Sequence, residues 1–196
     1  MHTSQARTLL IGLEGALVLV AILLGWVLGQ PPLQHASLSE RAAAWGVAGT
    51  LPMLAALVII TRWPQGPWRS LVELIDELLV PMLRGWSFGE MALAAALAGF
   101  GEEMLFRGVL QEVLQRVLVD WGLPVPWLAI LAAGFLFGLA HAISLAYVVF
   151  ATLVGIYLGW LYVWTGDLTA PIVTHALYDF VALVYLGRFR GDPSSY

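Results

Sequence analysis

Two adjacent glutamates and an arginine interrupt an apolar stretch in GEEMLFRG, residues 101 to 108. On a helix Glu102 and Glu103 point about 100° apart, and Arg107 lies one turn beyond Glu103, where a Glu-to-Arg pair meets. Glu103 therefore has a partner and Glu102 has none. An unpaired carboxylate in a low-dielectric setting has the basicity that a general base needs near neutral pH. Two later stretches add imidazoles: FGLAH places Phe137 and His141 on one helical face, and HALYD does the same for His175 and Asp179. A carboxylate one turn from a histidine fixes its tautomer and orientation. A hydrolytic centre needs a water, a base and donors for the negative charge that develops, and Glu102, His141 and His175 supply these by type. The same three residues are also the His/His/Glu set of an open zinc site. Side-chain type leaves both mechanisms open, although the H-E-x-x-H signature is absent and the chain has no cysteine.

The other ionisable residues have plainer readings. Within a span each such group costs about 2.5 to 3.5 kcal/mol, so few are tolerated without a role. Glu103 with Arg107 reads as a structural clamp. Glu14, early in the first apolar stretch, can snorkel to the headgroups, and His2 and His35 lie outside the spans as solvated residues. Asp167, in the turn TGDLTAP, caps the helix that follows. Ser144 stands near His141 in sequence, but no G-x-S-x-G setting surrounds it, which argues against a serine nucleophile.

These groups must be held by a membrane protein. The chain has 196 residues, 60% hydrophobic and 11% charged, with a mean hydropathy of +0.85, against roughly a quarter charged for soluble domains. Apolar windows long enough to cross ~30 Å of hydrocarbon recur with short loops between them. The expected fold is an all-α polytopic bundle with about six spans plus amphipathic interfacial helices. The spans are 8–29, 42–60, 88–106, 124–142, 146–164 and 169–186. SLVELIDELLVPMLRG, residues 70 to 85, reads as an amphipathic helix on the membrane surface, and 108–122 as a helix leaving the bilayer core. Trp63, Trp68, Trp86, Trp121, Trp127 and Trp164 fall near span ends, as interfacial aromatics do. Small-residue pairs at Gly25/Gly29, Gly134/Gly138 and Gly155/Gly159 suit close helix packing. Six spans put Arg7, Arg62, Arg69, Arg84, Arg188 and Arg190 on one side, cytoplasmic by the positive-inside rule, and Arg41 and Arg116 on the other. The organisation is a single integral-membrane domain, with an N-terminal part (1–86) of two spans and an interfacial helix, and a catalytic core (87–196).

The motifs EEMLFR, FGLAH and HALYD fit E-E-x-x-x-R, F-x-x-x-H and H-x-x-x-N/D, in that order and on successive apolar segments. In this the chain resembles the CPBP family of intramembrane proteases, which includes the type II CAAX prenyl proteases and the bacterial Abi proteins. The likeness spans roughly residues 88–186. It implies that Glu102 activates the attacking water with help from His141, that Glu103 and Arg107 support the site with Phe137, and that His175 and Asp179 face the developing oxyanion. Many members have Asn where this chain has Asp179. An ionised Asp cannot donate a hydrogen bond, so Asp179 is expected to orient His175, which then donates. The resemblance favours metal-free glutamate chemistry; zinc, if used, would be held by Glu102, His141 and His175.

The expected activity is that of an intramembrane endopeptidase acting on a membrane-associated protein or peptide. The expected setting is the lipid bilayer of a bacterial or archaeal plasma membrane, with no nucleic-acid partner. A non-catalytic protein of bacteriocin-immunity type, acting by partner binding, is the alternative. A proton-coupled carrier would also bury Glu and His, but no internal repeat is visible. Straight spans would set Glu102, His141 and His175 at different depths, so the reading requires a kink near Gly99 or Gly101, a water-filled cavity or shifted boundaries.

Overall fold

The structure, a computed structural model, describes residues 3–123 and 125–190. His2, Pro124 and the end of the tail (191–196) lie outside the described residues. The described residues form seven helices: α1 (Thr3–Val27), α2 (Glu40–Arg62), α3 (67–82), α4 (88–120), α5 (Pro126–Ala140), α6 (Leu145–Thr165) and α7 (Thr169–Arg190).

The all-helical expectation is met, and four helices are long and apolar enough to cross a bilayer: Arg7–Val27, Glu40–Arg62, Leu145–Thr165 and Thr169–Arg190. Six crossings are not shown among the described residues. The expected span at 124–142 is a 15-residue helix, Pro126–Ala140. The expected span at 88–106 belongs to α4, which runs through Glu102, Glu103 and Arg107 without a break and continues to Asp120. The expected separate helix after residue 108 is the far half of that same rod.

Local sequence explains the starts of these helices. Ser39, Ser87 and Ser144 cap α2, α4 and α6 by accepting the backbone N–H of Ala42, Glu90 and Tyr147. At α4 the box is reciprocal, since the Glu90 side chain accepts from the Ser87 backbone. Asp167 accepts from the Thr169 backbone and also holds the hydroxyl and backbone N–H of Ser37. The N-cap position of α7 is Leu168; Asp167, expected as the cap, stands one residue earlier, accepts the first helical N–H and fastens the α1–α2 loop to α7.

Two expectations at the membrane surface are corrected. Helix α3 is amphipathic, but its apolar face is spent inside the protein: Leu71, Ile75 and Val80 join Trp86, Met91, Ala94, Ala146 and Leu186 in one buried cluster. Trp86 is therefore core, whereas Trp63, Trp121, Trp127 and Trp164 remain exposed. Ion pairs tie that end together, Arg7 to Glu90 at 2.7 Å and Arg190 to Asp76 through two bonds at 2.6 and 2.8 Å. Arg116 lies at the opposite end of α1, donating to the carbonyls of Leu28 and Gly29. The expected separation of Arg7 and Arg190 from Arg116 is thus present at the two ends of the bundle.

Helix approach depends on small residues. A Cβ on Gly155 would lie 2.9 Å from the Gly134 backbone, so α5 and α6 meet there almost backbone to backbone. A Cβ on Gly99 would stand 2.6 Å from the Ala176 backbone, and one on Gly101 would stand 3.2 Å from the Glu14 carbonyl. These two glycines admit α7 and α1 to the flanks of α4; neither makes a kink. Thr174 donates to the Gly46 carbonyl at 2.8 Å and sets α7 on α2.

Candidate active site

Alpha-4 changes pitch from Met104 to Gln111, where it widens into a π-helical stretch. Such turns leave backbone groups displaced and recur at functional positions. Glu102 and Glu103 are the last two residues before Met104. All three are buried with Arg107 and Gln111.

Glu103 and Arg107 form the expected clamp at 2.7 Å, with no side-chain exposure on either partner. Arg107 also donates to the Gly155 carbonyl at 2.7 Å and sits 4.7 Å from the centroid of the Phe137 ring. The same Glu103 oxygen accepts from Nδ1 of His175 at 2.8 Å. This bond joins α4 to α7 across the Gly99–Ala176 contact, and the spacing within the motifs did not suggest it. His175 Nε2 then faces Asp179 at 3.4 Å. Sequence reasoning assigned the orienting role to Asp179; the shorter bond comes from Glu103.

Glu102 is in a different condition. Its Oε2 is buried with no hydrogen-bond partner, and the nearest imidazole nitrogen is His141 Nε2 at 3.7 Å. His141 Nδ1 lies 2.8 Å from the Phe137 carbonyl. A carbonyl only accepts, so Nδ1 carries the proton and Nε2 of the neutral ring is an acceptor. Two acceptors therefore face each other, and a group with two protons, such as water, satisfies both.

Phe137 organises the assembly. It stacks on His141 with centroids 4.6 Å apart, meets His175 edge-on at 5.9 Å and packs against Phe106 at 5.0 Å. Ser144 spends its hydroxyl capping α6. His35 is exposed.

The depth problem is resolved by boundaries and by the shape of α4. His141 follows the short α5, His175 lies six residues into α7, and both meet α4 just before its wide turn. Glu14 was expected at the headgroups. It lies instead beside Gly101, with Oε2 buried and unpartnered, within coulombic reach of Glu102, His175 and Asp179. Leu17 and Val18, which with the Glu14 carbonyl pack against Gly101, mark the face of α1 that meets α4.

Among the described residues no three His, Asp or Glu side chains group as a metal-ligand set. His175 already spends Nδ1 on Glu103 and turns Nε2 to Asp179. The donor set Glu102, His141 and His175 thus does not fit zinc as it stands.

A helical membrane protein with a buried carboxylate and imidazole centre on three helices is the class these features define. The sequence model of the Rce1-like family, the type II CAAX prenyl endopeptidases, matches residues 84–181, half of the chain. The chain belongs to that family. Membership implies a CAAX-type intramembrane protease and a protein substrate. No curated protein and no solved structure matches the chain.

Proposed function

We propose that this protein is an intramembrane endopeptidase in which Glu102 activates water, with a membrane-associated protein or peptide as substrate. The observation that carries the reading is the pair of opposed acceptors, Glu102 Oε2 and His141 Nε2, 3.7 Å apart beside the Glu103–Arg107 clamp. Water between them donates one hydrogen to each. Glu102 takes a proton as the water oxygen forms its bond to the scissile carbonyl carbon, and the carbonyl electrons move to oxygen. His175, held through Nδ1 by Glu103, presents Nε2–H to that oxyanion, with Asp179 beside it as the counter-charge. Collapse of the intermediate breaks the C–N bond, and the proton on Glu102 passes to the leaving amine. Arg107 neutralises Glu103 and stays clear of the reaction.

The test uses the full chain in proteoliposomes with a mixture of farnesylated CAAX peptides and unprenylated membrane-associated peptides, and new termini are read by mass spectrometry. Wild type cuts at least one peptide, and Glu102→Gln lowers its rate by about 10²- to 10⁴-fold, the range for loss of a general base. Undiminished cleavage by Glu102→Gln would refute the mechanism, and a wild type that cuts nothing would refute the activity.

A further inference from the structure

The centre is rich in acceptors and short of donors. Glu14 and Glu102 each hold a buried carboxyl oxygen without a partner, Asp179 accepts when ionised, and His141 turns an acceptor nitrogen inward. Of the donors, Arg107 is bound through its two terminal nitrogens to Glu103 and Gly155, with Nε buried and unpartnered, and His175 has Nδ1 on Glu103 and Nε2 facing Asp179. An oxyanion beside His175 would find there a donor already shared with a carboxylate. Family members with Asn at the position of Asp179 have an amide donor there that this chain lacks.

Tyr147 lies beside His141 at the edge of this centre. It lies in the first turn of α6, and its backbone N–H is fixed by the Ser144 cap at 3.2 Å. Its ring lies 6.0 Å from the His141 ring and 6.5 Å from that of Phe150. Glu102, Asp179 and Glu14 are all within coulombic reach of its phenol group. Among the described residues the hydroxyl makes no hydrogen bond, in contrast to Tyr157, which donates to the Gly49 carbonyl at 2.8 Å, and Tyr162, which donates to Glu112 at 2.6 Å. Tyr147 is thus a tyrosine with an uncommitted O–H among acceptors, at the end of the bundle where His141 and Glu102 meet.

We infer that Tyr147 is a catalytic residue whose phenol O–H donates a hydrogen bond to the tetrahedral oxyanion beside His175, replacing the amide donor that Asp179 does not provide. The inference rests on the hydrolytic reading above. The phenol keeps its proton throughout, so no bond to Tyr147 forms or breaks. A donor of this kind acts on charge that develops only in the transition state, and it changes kcat and leaves KM alone.

The experiment compares wild type, Tyr147→Phe, Tyr157→Phe and Glu102→Gln in the proteoliposome assay, using the peptide that wild type cuts best and a phosphonate analogue of it as a mimic of the tetrahedral state. Tyr147→Phe is expected to lower kcat about 10²- to 10³-fold, the cost of one oxyanion donor. It should weaken the phosphonate by a similar factor with KM unchanged, while Tyr157→Phe keeps kcat. If Tyr147→Phe retains kcat within about threefold while Glu102→Gln is inert, this inference falls and the hydrolytic reading stands. Equal loss in KM and in phosphonate affinity would make Tyr147 a packing residue and also overturn it. Melting temperature monitors folding. Should Tyr147→Phe misfold, 3-fluorotyrosine at 147 decides the matter: a more acidic phenol tightens phosphonate binding without changing KM, and an unchanged affinity is the refuting result.

Discussion

Glu102 and Glu103 are neighbours on one helix and both buried, yet they are held differently. Glu103 receives Arg107 and His175 on one oxygen, Oε1. Glu102 faces His141 Nε2 at 3.7 Å and receives no hydrogen bond from the described residues at its buried Oε2. The 100° between successive residues of a helix is enough to give two adjacent carboxylates different partners. A buried charge bonded by two donors fastens helices; one left with none has capacity for a substrate or a water.

The comparison can be broken most forcefully at Arg107. Replacing it by Met leaves Glu103 with His175 as its remaining partner at zero exposure, and loss of one partner of a buried pair costs about 3 to 5 kcal/mol. Thermal unfolding in detergent micelles should show a collapse of the transition or no folded protein. A carboxylate satisfied outside the spans provides the next test. Burial works to raise the pKa of Asp167, but hydrogen bonds from Ser37 and Thr169 outweigh it and hold the carboxyl below the usual Asp range. Asp167→Ala should cost about 1 to 2 kcal/mol, as lost caps do. Because the folded pKa is lowered, that difference is full above the ordinary Asp value of about 3.9 and shrinks as pH falls through the folded value; a pH series of melting curves checks it.

Glu102→Gln should move stability the other way, a gain of about 1 kcal/mol from removing an unsatisfied buried charge, while activity is lost. Denaturation of the purified variant beside wild type measures this, and marked destabilisation would erase the contrast with Glu103. The smallest effect belongs to Arg69→Ala. Its pair with Glu73 is 76% and 56% exposed, and such pairs are worth under about 0.5 kcal/mol.

The residues at the centre were legible because charge is conspicuous in an apolar chain and because i,i+4 spacing fixes which of them share a face. EEMLFR revealed the Glu103–Arg107 clamp for that reason, and HALYD the face of His175 and Asp179. The bond from Glu103 to His175 was hidden, since it depends on Gly99 admitting the Ala176 backbone, a contact between residues distant in sequence. Glu14 looked like a headgroup residue because depth along α1 says nothing about which neighbour that face meets. Trp86 had the position of an interfacial aromatic, and only the folding of α3 over it made it core. The wide turn from Met104 to Gln111 carries no proline and no local signal; it becomes visible only with the partners that α4 must face.

One dimension of the bundle has a consequence for its surroundings. Helix α5, 15 residues long, measures about 22 Å at 1.5 Å per residue, short of the ~30 Å of a typical hydrocarbon slab. Lipid beside a short segment thins to match it or lets its flanks draw the interface inward. His141 closes that segment, so wherever lipid thins to match α5 the interface is drawn toward an imidazole that faces Glu102 at 3.7 Å.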